Sequence, residues 1–182
     1  MERQGGFIKI AEWRGAPIRV HLLSPFLGVI PIGFARPSVG AWLGLLLVVL
    51  AHEFGHALVV DRLGGVVREI NVLPWGGTCE FGGITSELRV SCVAWGGVLA
   101  QMALLGLGQL QLSYAPPAPG TFGDDVLWSL TLANFVLMLV NLLPVRGLDG
   151  ALAWRVFWLA PRAWLERKSA RRKRLRVVGK DD

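Results

Sequence analysis

His52, Glu53 and His56 lie in the middle of the apolar run LLLVVLAHEFGHALVVD, residues 45–61. Two histidines at i and i+4 on a helix share one face, so both imidazoles can reach a single cation. Glu53 falls on the adjacent face, where its carboxylate reaches a water on that cation rather than the cation itself. The pattern is H-E-x-x-H, and its chemistry is zinc-assisted hydrolysis with the glutamate as general base. A pair of satisfied histidines packed between helices is the bland alternative. It would bury two imidazoles and a carboxylate at a cost of several kcal/mol with no return, and is the weaker reading.

Catalytic zinc takes three protein ligands and keeps one position for water. Two residues can supply the third. His21, in PIRVHLL, is the chain's only other histidine. Asp149, in NLLPVRGLDG (residues 141–150), is the better candidate. Pro144 stops the preceding helix, and Gly147 and Gly150 free the backbone around it, so the carboxylate can turn inward. An exposed loop aspartate is the alternative for Asp149 taken alone.

These side chains need elements to hold them. Of 182 residues, 53% are apolar and 18% charged. That is more apolar side chain than a soluble domain of this size needs for a core. The expected fold class is an all-α polytopic membrane protein with about four transmembrane helices. Val39 to Val60, Val90 to Leu110 and Val126 to Leu143 read as full spans. Val20 to Ala35 contains Pro25 and Pro31 and reaches only about 24 Å, so it is a kinked or partial span; a signal peptide cut near Ala35 is the other reading. Alternation in EINVL and the glycine pairs of residues 61–89 indicate a small strand or hairpin element. Residues 151–165 read as an interfacial amphipathic helix. The expected organisation is a membrane-embedded catalytic domain over residues 1–165 and a basic tail over 166–182.

Charge sets the expected orientation. With the N-terminus inside and four crossings, 18 of the 19 Lys and Arg residues lie on the inner side and only Arg36 lies outside. Trp42 and Trp128 then fall near the outer interface, and Trp154, Trp158 and Trp164 near the inner one. Both chemical motifs fall on the inner half, His52 about 13 Å from the membrane edge marked by Asp61. The net charge of +6 does not indicate nucleic acid, because the basic residues gather in a tail beside apolar segments. That tail suits an anionic lipid surface. Cys79 and Cys92 form no CxxC and read as two reduced thiols.

The H-E-x-x-H within a span, followed 93 residues after His56 by L-D-G with N-x-x-P ahead of it, resembles the site-2 protease family of intramembrane zinc metalloproteases. The resemblance covers about residues 14–150. GAPIRVH is similar to the family's strand ahead of the first span, INVLPWGG to its strand after the H-E-x-x-H helix, and WGGVLAQ to its small-residue start of the next helix. The resemblance implies His52, His56 and Asp149 as zinc ligands and Glu53 as the catalytic acid/base. Gln101 stands where the family often has an asparagine in Gly-Pro-x-x-Asn, and the proline is absent. Gln101 is either a donor to substrate or oxyanion, or structural. Asn141 matches the family's asparagine ahead of Pro144, serving backbone or substrate, or helix packing. Asn134 reads as packing.

The function expected from these residues is hydrolysis of a peptide bond in or near a transmembrane segment of a membrane-protein substrate. Glu53 takes a proton from the attacking water and delivers it to the leaving amine. An unwound substrate could pair with an extended edge near residues 69–83, or that segment is a structural hairpin. A pseudoprotease that only binds membrane clients, and a zinc carrier, are the rival classes. The expected location is a bacterial plasma membrane with both termini cytoplasmic.

Overall fold

Apolar length decides the architecture. The computed structural model describes residues 3, 4, 6–24 and 36–178. Among them, three helices are long and apolar enough to cross a membrane: α1 (Val39–Arg62), α2 (Glu87–Tyr114) and the continuous run Phe122–Asn141. The shortest has 20 residues, about 30 Å of helix, which matches a bilayer core. The chain is an integral, multi-pass membrane protein. The fourth expected crossing, residues 20–35, lies mostly outside the described residues, and its first two residues are not helical: Val20 and His21 end a strand.

The third long helix is not uniform. It comprises α3 (Phe122–Trp128), a π-helical turn (Ser129–Ala133) and α4 (Asn134–Asn141). Polar side chains hold the widened turn. Ser129 Oγ donates to the Ala41 carbonyl of α1 at 2.8 Å and Thr131 Oγ1 to Leu127 at 2.7 Å. Such turns recur at functional sites; this one sits immediately before Asn134.

The strand element is larger than the hairpin expected from sequence. Five strands, β1 (Arg3–Gln4), β2 (Phe7–Trp13), β3 (Ala16–His21), β4 (Val66–Leu73) and β5 (Gly76–Gly82), form one sheet in sequence order. All neighbours are antiparallel except β3 and β4, which run parallel. The helical membrane-protein class expected from sequence holds, and the sheet exceeds the expected hairpin for a local reason. β2 and β3 are joined by Arg14–Gly15, both at positive φ (48° and 87°), the backbone of a two-residue type I′ turn. Arg-Gly lacks the Asn-Gly signature that would mark such a turn in a sequence.

The sheet lays its apolar face along α1. Ile18 and Ile70 pack on Ala57, and Val72 packs on Val49. The sheet thus covers one side of the helix that carries the histidines. α2 covers another side, at backbone contact. A Cβ added at Gly55 would collide with the Gly96 carbonyl, and one at Gly96 with the Gly55 carbonyl. Small residues at such crossings let membrane helices touch. Gly55→Ala is expected to destabilise by about 1–3 kcal/mol through overpacking, measured as a fall in melting temperature in detergent. Gly106→Ala is the control, since its added carbon meets nothing within 4 Å, and the melting temperature should hold.

At the far end, the starts of α1 and α3 lie together. Ser38 caps α1 by accepting from Ala41 N at 3.0 Å. Arg36 donates to Asp124 at 2.9 Å and Asp125 at 3.3 Å, and its guanidinium lies 5.8 Å from the Trp128 ring centroid. The backbone N–H of Gly120 also donates to Asp124 Oδ2 at 3.0 Å. After α4 come a loop, a single turn α5 (Gly150–Ala153) and a long helix α6 (Val156–Val178). α6 runs unbroken through residues 165 and 166.

Candidate metal centre

α1 places His52 and His56 one turn apart on a buried face, with Glu53 only 3% exposed beside them. The loop after α4 brings Asp149 to the same point. Its Oδ2 lies 2.8 Å from His52 Nε2 and 3.3 Å from His56 Nε2, and the two Nε2 atoms are 3.0 Å apart. Donor atoms about 2.0–2.1 Å from a tetrahedral zinc ion stand about 3.3 Å from one another. The three atoms therefore approach the spacing of one face of a zinc tetrahedron, and a His-His-carboxylate set with a free fourth position is chemistry that zinc accepts. Zinc fits this site.

The outer nitrogens of both imidazoles are spoken for. His56 Nδ1 donates to the Val93 carbonyl of α2 at 2.8 Å, and His52 Nδ1 faces Gln101 Oε1 at 3.0 Å. With the Nδ1 protons held there, both Nε2 lone pairs are directed at the common point, the usual way outer partners fix a ligand's tautomer. Beneath the rings lies Gly97. A Cβ there would sit 2.6 Å from His52 Cε1 and His56 Nε2. Gly77 of β5 plays the same part for Glu53, whose carboxylate would collide with any added Cβ.

Asp149 occupies the N-cap position of α5, where an aspartate ordinarily bonds the helix N–H groups. It makes no such side-chain bond, so its carboxylate is free to face the histidines. Gly147, at φ 94°, turns the chain through a conformation that a side chain would resist.

The other sequence candidates lie as follows. Gln101, 1% exposed, touches His52 through its side chain and receives Asn134 Nδ2 on its backbone carbonyl at 2.9 Å. Asn141 Nδ2 stands 3.5 Å from Gln101 Oε1. His21 is outside the cluster; it closes β3 with its ring edge-on to Phe7. A cavity of about 490 Å³ spans the site, walled by His52, Glu53, Asp149, Gln101 and Asn141 and by apolar Val90, Leu137 and Val140. Cys79 also lines it. Burial, and then the Glu53 carboxylate, push its thiol up to about 12, so the sulfur stays protonated at neutral pH.

Val93 and Gly77 gave no sequence signal as site residues. One contributes only its carbonyl and the other only its lack of a side chain, and neither property shows in a residue pattern. Gly97 is legible only as part of the small-residue stretch WGGVLAQ.

No protein-family model matches the chain. The sequence is 32% identical over 130 residues to Rip3 of Mycobacterium tuberculosis, named as a candidate zinc metalloprotease, aligning 66% of this chain with 33% of Rip3. It is 26% identical over 156 residues to stage IV sporulation protein FB of Bacillus subtilis, aligning 76% of this chain with 47% of that one. A zinc metalloprotease of Methanocaldococcus jannaschii is 27% identical over 150 residues, with 79% of this chain and 43% of the relative covered. The chain thus spans between a third and just under half of the length of these curated relatives. Among solved structures, the site-2 protease from Methanocaldococcus jannaschii matches with a TM-score of 0.60 at 25% identity, covering 84% of this chain and 71% of the other.

Proposed function

Since this chain belongs to the site-2 protease family, we propose that it is an intramembrane zinc metalloendopeptidase that cleaves a membrane-protein substrate in or near a transmembrane segment. One observation carries the reading. Two imidazole nitrogens and a carboxylate oxygen, from elements far apart in sequence, lie within 2.8–3.3 Å of one another, and a buried glutamate stands next to them.

His52, His56 and Asp149 would hold the ion. Bound there, zinc would lower the pKa of water from 15.7 to about 7 and polarise the scissile carbonyl. Glu53 accepts the proton of the attacking water and returns it to the departing amine. Gln101 keeps the His52 ring in register. Asn141, half-buried on the cavity wall, is placed to donate to substrate.

The substrate must arrive extended, because a helix hides its carbonyls in its own hydrogen bonds. β5 ends the sheet order, with β4 as its only strand neighbour among the described residues. Gly76 and Gly77 of this strand line the cavity, and its free edge could pair with an unwound segment. Both termini lie in the cytoplasm in this reading, with the membrane a bacterial plasma membrane and the basic end of the chain, residues 166–182, against anionic lipid.

The test is purified protein assayed for zinc and for cleavage of a single-span reporter, beside Glu53→Gln. Stoichiometric zinc with Glu53-dependent cleavage is expected. Stoichiometric zinc without turnover on any client would favour a holder of membrane proteins instead.

A further inference from the structure

Asp149 is the one ligand not carried by a long helix. It sits between a loop and the single turn of α5, elements too short to hold a carboxylate unaided. Yet its Oδ2 meets two imidazoles. The chain around it is fastened at both ends. Ahead of Asp149, the Leu142 carbonyl accepts the indole N–H of Trp154 at 2.7 Å, closing the loop 142–154 on itself. Behind it, the Ala153 carbonyl accepts the indole N–H of Trp95 at 2.9 Å and the hydroxyl of Ser91 at 3.0 Å; that hydroxyl also lies 2.9 Å from the Leu152 carbonyl.

The fastening transmits directly. Ala153 N donates to the Asp149 main-chain carbonyl at 2.7 Å, so the group clasped by α2 is one hydrogen bond from the ligand residue. Ser91 is 1% exposed, and the two indoles meet edge to face at 5.8 Å. The same stretch of α2 offers the Val93 carbonyl to His56. Residues 91–95 therefore hold one imidazole and the aspartate together, although His56 and Asp149 lie 93 residues apart in sequence.

We propose that Ser91, Trp95 and Trp154 are positioning residues that set the Asp149 carboxylate for the metal. The proposal rests on the zinc reading of the site. None of the three touches the donor atoms; they act by fixing the backbone that carries one of them. Outer partners of metal ligands typically change affinity by about tenfold to a hundredfold when removed.

The test uses the chain of residues 1–182 in detergent. Trp154→Phe keeps a ring beside Trp95 and removes the indole N–H. Ser91→Ala removes a single hydroxyl. Trp158→Phe alters a tryptophan that is 52% exposed and serves as control. Zinc affinity is read by competition with a chromophoric chelator, ligand geometry by the visible spectrum of the Co²⁺-loaded protein, and fold by the melting temperature without metal. The expected result is a tenfold to hundredfold loss of zinc affinity in both variants, a changed Co²⁺ spectrum and an unchanged metal-free melting temperature. The control should match wild type throughout. Wild-type zinc affinity in either variant, with or without a lower melting temperature, would overturn the clasp and leave only packing. If the wild type itself binds no zinc, the metal reading fails first, and that outcome is distinct from failure of the clasp alone.

Discussion

Glu53→Gln is expected to slow reporter cleavage by about 10²–10⁴-fold, the usual worth of a positioned proton-transfer group, and to leave zinc bound at the wild-type level. The two outcomes belong together. Glutamine keeps the size and shape of the side chain, so it fits the space over Gly77. It lacks the basic oxygen that takes the proton. His52, His56 and Asp149 supply the three donor atoms without it. Lost zinc in this variant would mean that Glu53 is itself a ligand. Retained cleavage would remove it from the proton path.

Gly97→Ala should break the same site from the other side. The new methyl would stand 2.6 Å from His52 Cε1 and His56 Nε2, well inside van der Waals contact. Neither ring can retreat freely. Gln101 and the Val93 carbonyl hold their outer nitrogens. The expected result is zinc affinity lowered by at least about tenfold and cleavage lowered with it, measured in protein that still inserts and elutes as wild type. An unaltered zinc affinity would show that α2 can shift to admit a methyl without disturbing the two imidazoles.

The pairing of His52 and His56 was legible because its geometry is local. Four residues on a helix fix the separation of His52 and His56 whatever surrounds them. Asp149 was legible as a candidate because Pro144, Gly147 and Gly150 mark a broken helix beside it. The devices that place it are not local. Trp154 reads in the sequence as one more interfacial aromatic, yet its indole N–H turns inward to Leu142. Gln101 reads as a substitute for an asparagine, with either a substrate or a structural role open. Its contact with His52 exists only because two glycines let α1 and α2 cross at backbone distance. The sheet was underestimated for a similar reason. β3 and β4 pair in parallel, Ile18 opposite Ile70, across a long helix that separates them in the chain. No period or turn signal reports such a pairing.

The region of the chain that resembles the site-2 proteases also carries the departures. No proline follows Gly97, and helix α2 continues through Val98 without a break. The π-helical turn of the third long helix instead brings Asn134 to the Gln101 backbone, with Asn141 near its amide.

The most direct measurement is zinc K-edge X-ray absorption on the purified wild-type protein. A first shell of nitrogen and oxygen donors alone at about 2.0–2.1 Å, with the outer-shell signature of two imidazoles, is expected, and Asp149→Ala should thin that shell by one oxygen donor. A sulfur donor at about 2.3 Å, which would bring in Cys79, or a shell containing a single imidazole, would contradict a centre built from His52, His56 and Asp149.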